Sequence, residues 1–197
     1  MSRWVVFDYG MVISEPSTAH GDLARVLGVP EPAFLPAYWA HRHDYDAGLP
    51  AVDYWRAVGR DVGVEVDAER AARLTDLDTA GWLNAAPDAV ALVADLADAG
   101  VPLALLSNAP AEFGRRVAAQ PWTGHFRHLM FSGELGVAKP APEVWSVLTA
   151  RLGSTDCVFF DDNEANIAGA RAAGLTAVHW RHATHARAEL RDLGVLP

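Results

Sequence analysis

The chain carries one cysteine in 197 residues, Cys157, which rules out an intrachain disulfide framework and any thiolate cluster of the structural-zinc kind. Cys157 stands in the apolar run Cys157-Val158-Phe159-Phe160, where a buried core thiol is the expectation rather than a nucleophile. No uncharged apolar stretch reaches the roughly 18 residues that suggest a membrane span, and no basic, apolar signal region opens the sequence. The expectation is therefore a soluble, cytoplasmic protein. Positive charge is also scarce: 16 Lys and Arg face 25 Asp and Glu, a formal net charge of -9. Duplex DNA and anionic membranes are held by clustered cations, so neither nucleic acid nor a membrane is expected as a main partner. An acidic protein can still bind a phosphate locally.

What the chain does have is apolar material, 51% of its residues, enough for one core domain with an insertion. Trp4-Val5-Val6-Phe7 reads as a buried strand, and strand-like runs recur at Pro102 to Leu106, Leu129 to Phe131, Cys157 to Phe160 and Leu175 to Trp180. Helical patterns separate them. Pro87 to Ala99 places apolar residues at helical spacing and stops at Gly100; Pro142 to Leu152 does the same before Gly153. This alternation predicts an α/β fold, a Rossmann-like parallel sheet of about five strands covered by helices. Between residues 15 and 86 no strand-like run occurs and the patterns are helical, broken at Gly28-Val29-Pro30, Gly48-Leu49-Pro50 and Gly63. We expect an all-helical cap over 15–86, inserted into a core made of 1–14 and 87–197.

The polar signals lie where strands end. Asp8 closes the first apolar run, the place where ligands of open α/β sheets bind, which suits a nucleophile or a metal ligand. Leu106 runs into Ser107-Asn108 with Pro110 opening the next helix, so a hydroxyl and free backbone N–H groups could form an anion site or simply cap that helix. Phe160 runs into Asp161-Asp162-Asn163, with Asn166 following. Adjacent carboxylates at a buried strand end repel and lose hydration, a cost that a hard cation such as Mg²⁺ removes; N-capping by Asp162 or Asn163 is the competing account. Lys139, in the loop Gly136 to Pro142, would offset charge on a phosphoryl group in such company. In the helical segment Trp39, Arg42, His43 and Asp46 fall at helical spacing, either as a substrate-facing surface or as a helix–helix packing face. His179, His182 and His185 follow the last strand and are expected at the surface, away from the mouth.

Taken together, Asp8-Tyr9-Gly10-Met11-Val12, Ser107, Lys139-Pro140 and Asp161-Asp162 with Asn166 resemble motifs one to four of the haloacid dehalogenase superfamily, in their usual order. The helical insertion after the first motif resembles the cap of its small-metabolite phosphatases and 2-haloacid dehalogenases. The resemblance implies an aspartyl-phosphate on Asp8 and Mg²⁺ held by Asp8, Asp162 and the Gly10 carbonyl, with Asp161 behind them. It also implies that Ser107 and the Asn108 N–H grip the phosphoryl oxygens, that Lys139 stabilises charge, and that Asn166 orients water or Lys139. Arg42 and His43 become candidates for contact with a small phosphorylated metabolite.

Gly10 departs from the pattern, because phosphatases of the family usually place an acid/base Asp there. An Asp-x-Gly start with an Asp-Asp-Asn fourth motif nevertheless resembles a sugar-phosphate phosphatase branch, in which Met11 stands where Asn is usual. Asp44 or Asp46 could act as a substitute acid. The alternatives are a metal-independent 2-haloacid dehalogenase, or a phosphoryl-binding protein whose turnover is weak for want of that Asp.

Overall fold

In a computed structural model describing residues 3–197, the five apolar runs form five parallel strands. They are β1 (Trp4–Phe7), β2 (Leu103–Ser107), β3 (His128–Phe131), β4 (Cys157–Asp161) and β5 (Thr176–His179), in the spatial order β3-β2-β1-β4-β5. The first two residues of the expected 1–14 segment lie outside the described residues. Five helices lie between β1 and β2 before the core resumes: α1 (His20–Leu27), α2 (Glu31–Ala40), α3 (Arg42–Asp46), α4 (Ala51–Asp61) and α5 (Ala68–Trp82). The core helices are α6 (Pro87–Asp98), α7 (Ala111–Ala118), α8 (Ser132–Leu135), α9 (Pro142–Leu152), α10 (Glu164–Ala172) and α11 (Ala183–Asp192). The chain thus folds as the expected Rossmann-like sheet with an all-helical insertion.

Alternation along the strands explains the two-sided core. Val5 and Phe7 of β1 pack with Leu103, Leu105, Val158 and Phe160 against α6, α7 and α11, while Val6 joins Ala104, Phe159 and Ala177 against α9 and α10. Helix ends follow local rules. Pro87 and Pro142 sit in the first turns of α6 and α9, and the chain leaves α9 through Gly153 at φ 63°, where a side chain would be strained. The inserted helices hold a separate core of Leu23, Phe34, Tyr38, Tyr54, Trp55 and Leu74. There the buried Trp55 Nε1–H donates to Thr75 Oγ1 at 2.9 Å, so its one polar group is satisfied. An antiparallel bridge between Ser14 and Ala85 ties together the two strands of chain that lead into and out of this insertion. No helix of the described residues is long and apolar enough to cross a membrane.

Two strands run one residue past their apolar stretch. Ser107 pairs with Phe131 and Asp161 with His179, because a parallel ladder bonds through the backbone and continues under a polar side chain. The β1–β4 register, Phe7 beside Phe160, therefore puts Asp8 next to Asp161 at the point where the strand order reverses around β1. In open sheets that is the ligand crevice.

Candidate active site

Asp8, Ser107 and Asp161 reach the carboxyl edge from three adjacent strands, and Lys139 reaches them from the loop between α8 and α9. Lys139 is the only lysine in the sequence, and its side chain is 0% exposed. Its Nζ lies 2.9 Å from Asp8 Oδ1 and 2.5 Å from Asp161 Oδ2. The loop is fixed by Asn108, whose Nδ2 donates to the Lys139 carbonyl at 2.7 Å while its Oδ1 accepts the Lys139 N–H at 2.8 Å. Asn108 thus spends its side chain on the lysine loop.

The two adjacent carboxylates have separate surroundings. Asp161 is fully buried; its Oδ1 accepts from the Asn163 N–H at 2.8 Å and from Asn166 Nδ2 at 3.0 Å, and its Oδ2 accepts from Lys139 and from Asn166 at 3.1 Å. Asn166 therefore orients the carboxylate that orients the lysine. Asp162 is exposed and lines the cleft, free of capping duty because Asn163 caps α10 by accepting the Ala165 N–H at 2.8 Å. Carboxylate oxygens of Asp8, Asp161 and Asp162 lie within 4.8 Å of one another.

Burial pushes the Asp8 carboxyl up to about 7, with Lys139 opposing the rise, Asp161 adding to it and the Ser107 hydroxyl lowering it. Burial alone would depress the Lys139 ammonium, but Asp8 and Asp161 outweigh it and hold it above the ordinary lysine value. Although exposed at the cleft, Asp162 is raised by partial desolvation beside the core and then by Asp161. Asp8 Oδ1 is buried against the Lys139 ammonium, and Asp162 faces outward beside it. Three clustered carboxylates balanced by one ammonium are a donor set that fits a hard, oxygen-seeking cation.

A cleft of about 260 Å³ opens above this array, lined on the core side by Asp8, Gly10, Met11, Ser107, Asn108, Asp162 and Asn166. On the other side stand Trp39, Arg42, Asp46 and Trp82 from the inserted helices. Two large apolar side chains are exposed among the described residues, Met11 at 45% and Trp39 at 50%, and both line it. Arg42 Nε donates to Asp46 Oδ1 at 2.9 Å and its Nη1 to Asp78 Oδ2 at 2.9 Å. Tyr38 completes the network by donating to Asp78 Oδ1 at 2.7 Å.

A family model described as haloacid dehalogenase-like hydrolase matches residues 17–174. The chain belongs to that family. Among curated relatives, the hydrolase is 31% identical over 140 residues to protein CbbY of Cupriavidus necator, the match covering 64% of this chain and 55% of that one. It is 31% identical over 96 residues to a phosphoserine phosphatase of Thermus thermophilus, covering 47% and 39%. It is 25% identical over 185 residues to phosphatase MT3486 of Mycobacterium tuberculosis, covering 88% and 84%. The hydrolase thus spans about half the length of the first of these relatives, and less of the second. In fold it resembles the L-2-haloacid dehalogenase of Xanthobacter autotrophicus solved with chloropropionic acid covalently bound, with TM-score 0.73, 20% identity and coverage of 100% and 85%. It also resembles a HAD family enzyme of Bacteroides thetaiotaomicron solved with magnesium and inorganic phosphate, with TM-score 0.66, 16% identity and coverage of 92% and 96%.

Most residues singled out in the sequence thus meet in one place: Asp8, Gly10, Ser107, Asn108, Asp162 and Asn166 line the cleft, Lys139 and Asp161 lie beneath it, and Arg42 faces them. His43 and Asp44 do not join them; both are exposed and lie outside the lining, since neighbours on a helix point roughly 100° apart and Arg42 takes the inward direction. His179, expected at the surface and away from the mouth, does not line the cleft. It ends β5 beside Asp161, and its Nε2 lies 2.7 Å from the Asp162 carbonyl, to which it donates. The sheet register carries it there, a signal available once β4 and β5 were known to be neighbours. Trp82, Ser132 and Asp78 were not anticipated, being contributed by helices with no local chemical signature.

Proposed function

We propose that this hydrolase is a Mg²⁺-dependent phosphatase of small phosphorylated metabolites, acting in the cytoplasm. The observation that carries the reading is the charge array. Three carboxylates within 4.8 Å and one buried ammonium leave a formal charge of -2 (three negative, one positive), which one Mg²⁺ neutralises. Phosphoryl transfer depends on positioning and on neutralising charge around phosphorus, and a site of this kind supplies both. The phosphatases among its relatives support the same reading.

In this reading Asp8, Asp162 and the Gly10 carbonyl hold the cation, and Asp161 acts from behind by fixing Lys139. The cation, when bound, withdraws charge from the phosphoryl oxygens and keeps Asp8 ionised. Asp8 attacks phosphorus and becomes an aspartyl-phosphate, which water then hydrolyses. Ser107 and the Asn108 N–H hold phosphoryl oxygens, and Lys139 stabilises charge at Asp8. Residues 15–86 form the cap, with core segments 1–14 and 87–197, and Arg42 with the Trp39 and Trp82 rings contacts the leaving group.

One observation favours a second reading. Gly10 has no side chain to move a proton, and displacement of a halide from carbon needs no acid. Against it stands Asp162, an exposed carboxylate that would repel the carboxylate of a 2-haloacid. A phosphomonoester panel assayed with Mg²⁺ and with EDTA, alongside chloride release from 2-chloropropionate, separates the readings. Phosphate release that needs Mg²⁺ and is lost in Asp8→Asn supports the proposal. EDTA-resistant chloride release would replace it with the dehalogenase, and phosphoryl-analogue binding without turnover would make the chain a phosphoryl-binding protein.

A further inference from the structure

We infer that Asp46, on the inserted helices, is the catalytic acid and base of this site, taking the place left empty at Gly10. The inference rests on the phosphatase reading above. A Cβ built at Gly10 meets no atom within 4 Å, so the core offers no side chain at the position two residues after the nucleophile, only open cleft. The proton carrier has to come from another part of the lining. Beyond Asp8 and Asp162, which the cation and phosphorus claim, Asp46 is the remaining carboxylate among the residues lining the cleft.

Three features suit it to the task. Its Oδ1 is held by Arg42 Nε at 2.9 Å, whereas Oδ2 has no hydrogen-bond partner among the described residues, and the side chain keeps 14% exposure in a residue that lines the cleft. Its backbone is pinned to the phosphate-binding edge by a chain of hydrogen bonds: the Ala109 N–H donates to Ser132 Oγ at 2.9 Å, and Ser132 Oγ donates to the Asp46 carbonyl at 2.5 Å. Ala109 follows Ser107 and Asn108 directly, and Ser132 is 1% exposed, so a buried hydroxyl fixes Asp46 relative to the groups that hold the phosphoryl. Finally, burial holds the Asp46 carboxyl up at about 6, Arg42 opposing and Asp78 adding to the rise. The titratable and charged groups around it are Arg42 and His43 on α3, Asp78 on α5 and Tyr54 on α4. A carboxyl in that range can both give and take a proton near neutral pH.

The proton balance closes over two steps. As the bond from Asp8 to phosphorus forms and the bond to the leaving oxygen breaks, the Asp46 proton passes to that oxygen and the alcohol departs. Water then attacks phosphorus, gives a proton to the Asp46 carboxylate, and the bond to Asp8 breaks, releasing phosphate and restoring the carboxylate of Asp8 and the acid of Asp46.

Rapid-quench kinetics of Asp46→Asn with Mg²⁺ test this. With nitrophenyl phosphate, whose leaving group departs without a proton, the variant should release one equivalent of nitrophenolate in a burst. Steady turnover should then be slower than wild type by about 10²-fold or more, because water activation is lost. With an alkyl phosphate the first turnover itself should slow by a similar factor and show no burst. Adding Gly10→Asp should restore steady turnover. An equal loss for both esters in the first turnover would mean that Asp46 only shapes the cleft, and would overturn the inference. Should Asp46→Asn fail to fold by circular dichroism, the wild type decides: kcat/KM nearly indifferent to leaving-group basicity supports an acid, and a steep fall with basicity refutes it. If the wild type hydrolyses neither ester with Mg²⁺, the phosphatase reading falls first and this inference with it.

Discussion

Replacing Lys139 by Met keeps most of the length of the side chain and removes the only cation that stands against Asp8 and Asp161 among the described residues. At 2.9 and 2.5 Å the two contacts amount to roughly 12 kcal/mol of gross attraction at an effective dielectric of about 20. The net loss is much smaller, because the site has an escape: a carboxyl can take up a proton. Removing one partner of a buried pair costs ~3–5 kcal/mol, because the charge left behind is uncompensated. The variant should therefore lose about 4 kcal/mol at neutral pH, measured as the shift in urea-unfolding free energy from wild type. The sign of the pH dependence follows from Asp8. Its folded-state value already stands above the unfolded one and rises further without Lys139, so the native chain binds the extra proton. This contribution is fully present below the unfolded carboxylate range in both proteins and lost alike up to about pH 7; above that the variant goes on losing stability while the wild type levels off, so the gap should widen from neutral to alkaline pH. Mg²⁺ should recover part of the loss at neutral pH. A deficit under about 1 kcal/mol, or one unchanged between neutral and alkaline pH, would refute the claim that Lys139 balances buried charge.

Three other predictions concern the same edge of the sheet. Thermal stabilisation of the wild type by Mg²⁺ should grow with pH up to and past the Asp8 value of about 7, since protons and the cation compete for the carboxylates; a shift equal in acid and base would show that Asp8 is not a ligand. Asp162→Asn, at an exposed position, should change unfolding free energy by no more than ~0.5 kcal/mol yet abolish the Mg²⁺ shift; an intact shift would remove Asp162 from the ligand set. Met11 adopts φ 57°, a left-handed conformation that costs a non-glycine residue roughly 1–2 kcal/mol, so Met11→Gly should stabilise the fold by about 1 kcal/mol in urea unfolding, and a loss of stability would show that the Met11 side chain contributes more than its strain.

The sheet was legible because each strand is a short apolar run, and alternation with helices left few topologies. Its ends were less so: Ser107 and Asp161 are polar and closed the runs in sequence, while the ladder carries on through their backbones. The chemistry on strand ends was readable for the same reason, since Asp8, Ser107 and Asp161 stand where an apolar run stops. Trp39, Arg42 and Asp46 showed in their helical spacing, but which of their neighbours would face inward did not, and His43 turned away. What remained hidden is what depends on tertiary pairing: Asp78 sharing Arg42, Ser132 bridging Asp46 to the core, and His179 arriving at Asp162 through sheet register. The single lysine was in plain view as a count. In a chain that otherwise uses arginine for positive charge, its one lysine is a buried ion-pair partner.

The most direct test of the account is the adduct that Asp8 carries during turnover. Acid quench of the hydrolase with Mg²⁺ and a phosphomonoester that it turns over, followed by borohydride reduction and peptide mass spectrometry, should find an acyl-phosphate at Asp8, seen as its reduced product at that residue alone. An unmodified Asp8 during active phosphate release, or an ester of Asp8 with the carbon skeleton of 2-chloropropionate formed in EDTA, would contradict it.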